Sequence, residues 1–411
     1  MAAADAQFLW LSAKVPNDQF LTYVFEGTST PLDDAVAQLR RRADECDELR
    51  LRVHPPADRR GVAWRYPRWV SGGVTPEQFR VYGDLSWQDC LDAVSRLAAD
   101  QLDVGEMSWR VHVFPSGDQT VVVVQMSHAL GDGTRSAALA GALLGRRAPI
   151  PAVVESRRGS LLLRSVAAAR AYRQLVRDVE AGLLPPPGAS RPLLGVNVRP
   201  SGRSAYRVIT VRRDRLPGPT VTVGALAAIG EALGGYLADR GDDVASLAAE
   251  VPMAYLPGTL PMAHNNFRTV SVGLHPQSPR AERARRIAGE LADHRRRGEH
   301  AGIRASVAAT AALPAPLLRW GVGQFDPSAR SATVAGHTVV SSVNRGAADL
   351  SFGGGSVLLT AGFPALSPMM SLTHGVHGIG DTVAVSVHAD AGNVDVDDYL
   401  ARLTCALEHP C

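Results

Sequence analysis

Two spacings of apolar residues take turns along this chain. Short stretches where apolar positions alternate or run together are followed by longer ones where they return every three or four residues, as strands and helices do in succession. Phe20–Glu26 reads as a strand. Leu32, Val36 and Leu39 then recur at helical spacing behind Thr30 as N-cap and Pro31 at the first helical position, with Asp33 and Asp34 placed to suit the helix dipole. Leu49–Val53 and Ala63–Val70 are predicted strands. Ser86, with Asp89 after it, starts a helix whose apolar stripe is Leu91, Val94 and Leu97. Trp109–Phe114 and Thr120–Met126 form a hairpin around Ser116-Gly117-Asp118.

Arg146–Pro151 breaks the pattern, and 183–202, with Pro185, Pro186 and Pro187 in a row, reads as linker. Between them Ser160–Leu183 is one long helix. The alternation then restarts, with strands over Ala205–Val211, Ala248–Tyr255, Asn266–Leu274, Thr338–Val343, Val357–Ala361 and Thr382–His388, and helices over Thr220–Leu237, Ser278–Arg297 and Val396–Leu407. Ala305–Leu318 carries no charge and contains Pro314 and Pro316. It reads as core, or as a broken helix lining a tunnel or touching lipid. The pattern predicts an α/β protein with an N-terminal half over 1–150, a crossover helix and linker over 151–203, and a C-terminal half over 204–411.

The stretch around which the chain is organised is Gln119–Leu139. Val121 to Val124 and Met126 make a run of mostly β-branched residues, which suits a strand buried on both faces. Polar residues follow at once. His128 stands where the strand gives way to a loop, and Gly131 and Gly133 bracket Asp132 in a tight turn before Thr134 or Ser136 caps a small-residue helix through Leu144. A histidine so mounted can point into a cleft. A core histidine beside an ordinary Asp-Gly turn would be spelled the same way.

Composition narrows the field without naming a chemistry. Apolar residues make up 45% and charged residues 20% of 411 residues, with a formal net charge of +3, as in an ordinary globular protein. Lys14 is the only lysine, and acidic residues are interleaved with the arginines, so no nucleic-acid module is visible. Cys46, Cys90, Cys405 and Cys411 have no metal-ligand spacing, and reduced thiols in the cytoplasm are expected. The opening MAAADAQFLWLSAK lacks the features of a signal peptide, and no apolar run is read as reaching the length of a membrane span. The Ser160–Leu183 helix, with Arg164, Arg170, Arg173 and Arg177, suits either an anionic membrane surface or, the reading favoured, a solvated bridge between the halves.

His-x-x-x-Asp-Gly resembles the motif of the CoA-dependent acyltransferase superfamily, and further stretches resemble its wax ester synthase/diacylglycerol acyltransferase family in the right order. They are Asp5–Leu9, Glu106–Trp109, Ala263–Pro276 with Asn265 or Asn266 as the family's asparagine, and the close from Gly378 through Asp395. The chain departs from that family at Ser127, where a first histidine is usual, at Gly224-Ala225, where an Asn-Asp pair is usual, and at Ser341–Arg345. The resemblance implies a chloramphenicol acetyltransferase-like two-domain sandwich, its pseudo-symmetric halves meeting along a tunnel. It also implies His128 as general base and Asp132 turned from the substrate to pair with an arginine.

The implied reaction moves an acyl group from acyl-CoA, a co-substrate with no resident cofactor beside it, to a hydroxyl of a long-chain alcohol or diacylglycerol-like acceptor, without an acyl-enzyme. Backbone amides at Gly131–Gly133 or the side chain of Asn265 are candidates to hold the oxyanion. The departures leave two alternatives. One is a specialised-metabolite acyltransferase acting on a polyketide, peptide or sugar, with a carrier-protein donor docked by the Ser278–Arg297 helix. The other is a binding or scaffold protein that has lost catalysis. A cytoplasmic protein, with peripheral membrane contact as an option, fits each. Three other patterns carry less. His374-x-x-His377 is read as loop because of Gly375 and Gly378, with metal binding given little weight. Gly353-Gly354-Gly355 is read as a turn rather than a phosphate cradle. Ser127 and His128, adjacent in the chain, point to opposite faces and so do not make a hydrolase pair.

Overall fold

The computed structural model describes residues 1–55, 65–154, 160–216, 218–255 and 262–408. Two six-stranded sheets form its frame. The first runs in the order Ser351–Phe352, Gly355–Gly362, Gln19–Glu26, Gln119–Met126, Trp109–Ser116, Phe79–Val81. The second runs Phe267–Gly273, Ala248–Ala254, Thr338–Asn344, Leu372–Ile379, Thr382–Asp390, Ser204–Arg212. The architecture is α/β, two halves packed on one another. Ser351–Phe352 and Gly355–Gly362 come late in the chain yet join the first sheet, so the two halves are laced together rather than merely abutting.

The valine strand explains the packing. Val122 and Val124 face a core with Leu139 and Leu143 of the helix Gly133–Leu143, while Val121 and Val123 face Leu91, Val94 and Tyr206 on the side toward the second half. Successive residues of a strand point to opposite faces, and here both faces are covered, so an unbroken apolar run replaces alternation. The strand is thereby held on both sides up to Met126, and the residues after it emerge between the halves.

The second half is centred on the helix Val221–Ala238, buried against its sheet and the terminal helix Val396–Glu408. Its composition alone is long and apolar enough to cross a membrane, contrary to the reading that no run is. Its burial in the core is the physical reason for that composition. Gly230 and Gly234 admit the backbone and ring of Leu274 and Pro276, because a Cβ on either would come within 2.7 Å of the Leu274 carbonyl or 2.3 Å of the Pro276 ring.

Several expectations are corrected. The stretch with Gly375 and Gly378 is the strand Leu372–Ile379, every residue of it buried. A Cβ at Gly375 would stand 2.1 Å from the Gly362 carbonyl, so glycine marks a close crossing of the two sheets rather than a loop. His374 and His377 therefore project to opposite faces: the first bonds Thr338 and Tyr399, the second lies by Gly362. Ala3–Ser12 is a helix, Pro31 rather than Thr30 caps Leu32–Asp44, and Asp47–Arg50 is a single tight turn before the strand Leu51–His54. The strand read over Ala63–Val70 is Arg68–Ser71, with 63 and 64 outside the described residues. Cys411 also lies outside them. Ala305–Leu318 is not core. It belongs to two helices, Ala301–Thr310 and Ala315–Gly323, which meet at 97° and bury only Gly302 and Ala315.

Candidate active site

His128 opens a tight turn, His128–Leu130, directly after the valine strand. Ser127 caps that turn, its Oγ accepting from the Ala129 amide at 3.4 Å while its own amide donates to the Ser108 carbonyl at 3.0 Å. Ser127 is thus buried and occupied with backbone, away from the imidazole.

The orientation of His128 is set from the opposite half. Asn265 stands just before the strand Phe267–Gly273, and its Nδ2 donates to the Asp5 Oδ1 at 3.1 Å and to the His128 carbonyl at 2.8 Å. Its Oδ1 is left as an acceptor, 3.0 Å from His128 Nδ1. An amide oxygen accepts, so Nδ1 carries the proton and Nε2 keeps the lone pair. Asp5 in turn accepts from the amides of His264 at 3.1 Å and Asn265 at 2.8 Å. Asp5, Asn265 and His128 form a chain of hydrogen bonds through three segments far apart in sequence. Asp5 is buried and His128 half-buried: loss of solvent holds the imidazole below its ordinary value of 6.5, and raises the Asp5 carboxyl above its own. Phe8, one turn along the same helix as Asp5, lies flat on the His128 ring at 4.0 Å, and Phe267 closes the side at 6.0 Å.

Asp132 has a different place from the one the resemblance implies. Its Oδ1 caps the following helix, accepting from Thr134 and Arg135 amides at 3.1 and 3.0 Å, and its Oδ2 accepts from the Asn266 amide at 2.9 Å. The capping expected of Thr134 or Ser136 falls to it. Three backbone N–H groups satisfy the carboxylate, and no described ion pair includes it. The arginine that does brace the loop is Arg135, which donates to the Leu130 carbonyl at 3.3 Å, to the Pro151 carbonyl at 2.8 Å, and to Glu48. The glycines have steric causes. A Cβ on Gly131 would meet the Arg135 side chain at 2.9 Å, and one on Gly133 would meet Val343 of the second half at 2.8 Å.

Asn265, read as a candidate oxyanion donor, spends both hydrogens of its Nδ2 on Asp5 and His128. The Asp132 amide is likewise used, donating to the His264 carbonyl at 3.2 Å. Sequence reading assigned no task to Asp5 or Phe8, although their three-residue spacing, which sets them on one face of a helix, was there to find.

A cavity of about 1050 Å³ is walled by the N-terminal helix, the helical pair after 301, and Trp69, Asn265 and Phe267; His128 is not among the residues that line it. A second, of about 850 Å³, lies between the halves and is lined by Asp18, Phe20, Tyr206 and His388, with Arg96, Arg199 and Arg203 among its polar residues.

Two laced α/β halves with a histidine delivered between them by a central strand form a fold shared with solved acyltransferase and condensation-domain structures. A solved wax ester synthase/diacylglycerol acyltransferase from Marinobacter aquaeolei VT8 superposes with a TM-score of 0.61 at 17% identity, over 98% of this chain and 96% of that one. The starter condensation domain of rhizomide synthetase RzmA, an arginine-to-alanine variant in complex with C8-CoA, superposes with a TM-score of 0.59 at 16% identity, over 100% and 95%. No family model and no curated protein matches the sequence.

Proposed function

We propose that the protein is an acyltransferase that moves an acyl group from an acyl-CoA thioester to a hydroxyl acceptor, with His128 as general base. The observation that carries this reading is the Asp5–Asn265–His128 chain, because it leaves Nε2 unprotonated and fixed in direction. Nε2 takes the acceptor proton as the hydroxyl oxygen adds to the thioester carbonyl. The tetrahedral adduct then expels the CoA thiolate, which receives the proton from Nε2. No acyl-enzyme is needed. Positioning supplies much of the rate, and the base typically adds ~10²–10⁴-fold. Asp5 and Asn265 are positioning residues, and Asp132 holds the loop to both its own helix and the opposite half. Among the oxyanion candidates, the Gly131 and Gly133 amides are preferred to Asn265 and to the Asp132 amide, whose donors are taken.

The Arg280–Glu299 helix spends Arg283 on Glu231 and Arg297 on the Pro185 carbonyl, while Arg285, Arg286, Arg295 and Arg296 stay exposed as a basic face on which a carrier-protein donor would dock. Peripheral membrane contact draws support from the surface. Leu162, Leu163 and Trp320 are 78%, 73% and 64% exposed on helices that also carry Arg170, Arg173 and Arg319, the mixture that suits an anionic bilayer. Co-sedimentation with phosphatidylglycerol vesicles, expected for wild type and lost in a Leu162→Ser, Leu163→Ser, Trp320→Ser variant, tests this.

The reaction itself is tested by release of free CoA thiol with a panel of acyl-CoAs and alcohols. Turnover in wild type that survives unchanged in His128→Ala would overturn the base assignment.

A further inference from the structure

We infer that the cavity of about 850 Å³ between the halves is a binding site for a small organic anion carrying two or more phosphate groups, the chemistry shared by the nucleotide end of coenzyme A and by a free nucleotide. The site stands on the cavity's own side chains and not on the acyl-transfer reading.

Three guanidinium groups line it from two parts of the fold. Arg96 comes from the last turn of the helix Trp87–Leu97 in the first half, and Arg199 and Arg203 from the segment that leads into the strand Ser204–Arg212 of the second sheet. All three residues are exposed, and none of their side chains has a described hydrogen bond or ion pair. The backbone that carries Arg199 and Arg203 is nonetheless fixed. Asp390, fully buried, accepts from Ser201 Oγ at 2.8 Å and from the Arg203 amide at 3.0 Å, and Asn393 Nδ2 donates to the Arg199 carbonyl at 3.0 Å. A loop so held, with its cationic heads free, has little backbone freedom left to lose when a ligand binds.

Two carboxylates share the wall without pairing with the arginines. Asp92 stands four residues before Arg96 on one helix, a spacing at which ions can pair, yet its Oδ1 accepts from Gln88 Nε2 at 2.9 Å. Asp18 accepts from the Leu102 amide at 2.8 Å and from Gln125 Nε2 at 2.9 Å, and burial lifts its carboxyl to about 6. A guanidinium fork matches two phosphate oxygens at once, and three of them call for more negative charge than a single carboxylate ligand brings. Tyr206 adds a neutral donor. It is 1% exposed and stacked on Phe363 at 4.1 Å, and its hydroxyl makes no described hydrogen bond although its oxygen, unlike that of Tyr23, keeps accessible surface. A ring locked in the wall of the cavity with one unpartnered hydroxyl is suited to donate to a ligand oxygen. The volume lies in the range of small-molecule sites and admits a nucleotide.

The test is calorimetric titration of the whole chain with adenosine 3′,5′-bisphosphate, ATP, pyrophosphate, citrate and adenosine. The phosphates are expected to bind, more weakly as salt is raised, and citrate and adenosine are not. Arg199→Gln with Arg203→Gln, both exposed and so without effect on the fold, should weaken binding by about tenfold or more, and Tyr206→Phe by about threefold. Arg285→Gln, exposed on the Arg280–Glu299 helix, should leave it unmoved. The bisphosphate ahead of ATP makes coenzyme A the source of the phosphates, and ATP ahead of the bisphosphate makes it a free nucleotide. No binding by any of the phosphates, citrate or adenosine binding as tightly as they do, or wild-type affinity in the arginine double variant would each sink the inference. Because binding is read without turnover, phosphates that bind a protein releasing no CoA thiol leave this site standing while the acyl-transfer reading falls.

Discussion

His128 Nδ1 and Asn265 Oδ1 stand 3.0 Å apart, on opposite halves of the molecule and 137 residues apart in the chain. Their hydrogen bond holds the halves in register at the point where chemistry is proposed, and it decides which imidazole nitrogen is free. Asn265→Ala or Asp5→Ala is therefore expected to lower kcat about 10- to 100-fold, by analogy with the loss of groups that orient an active histidine, with KM for acyl-CoA little changed. Asn265→Asp keeps an acceptor facing Nδ1 but sets a carboxylate oxygen against Asp5 and the His128 carbonyl, so it should lose at least as much activity as Asn265→Ala. Steady-state kinetics on the three variants, beside His128→Ala, check the order.

Asp132 makes its three bonds to backbone amides, one of them across the halves. Asp132→Ala is expected to cost about 1–3 kcal/mol of stability through loss of the cap and orphaned amides, and Asp132→Asn less. Denaturant midpoints with KM measured in parallel check this. An Asp132→Asn protein of full stability with no activity would contradict the structural role.

At Gly133 the missing side chain is itself a contact, since a Cβ would lie 2.8 Å from Val343 Cγ2. Gly133→Ala should destabilise by about 1–3 kcal/mol. Val343→Ala should return part of that, and a double-mutant cycle measures the coupling.

As the proposed base, His128 would act in its neutral form. Burial lowers its pKa, so neutral imidazole persists to lower pH and the acid limb of kcat/KM is expected below the ordinary 6.5. Phe8→Ala removes the ring that covers the imidazole and should raise that limb toward 6.5. A limb that moves down, or not at all, would mean that Phe8 does not set the environment of the base.

Acid should also unfold the protein earlier than carboxylates alone would require. Burial lowers His112 and His388 to about 4, and His264 and His374 to about 3. Between the ordinary 6.5 and those values the unfolded chain binds protons that the folded chain refuses, so stability is full above 6.5 and falls as pH drops. Each imidazole contributes a slope of about 1.4 kcal/mol per pH unit in that window. Urea midpoints from pH 7.5 to pH 5 read the effect.

What was legible in the sequence was local. The valine run needs no distant partner to be read as a strand buried on both faces, and the polar residues after Met126 had to stand at its end, so His128 was placed on its mount by a handful of neighbours. The helix at Ser86 was marked by its cap, since a side-chain oxygen three residues before an amide is a short-range fact. The tertiary structure alone decided what crosses between segments. It gave Asp132 three amides instead of an arginine, turned a glycine-rich stretch into the strand Leu372–Ile379 because two sheets cross at Gly375 and Gly362, and brought Asp5, Asn265 and His128 into one chain. Periodicity reports which face of an element is apolar, whereas the partner met by a polar side chain depends on how distant elements dock, and one residue's spacing carries no record of that.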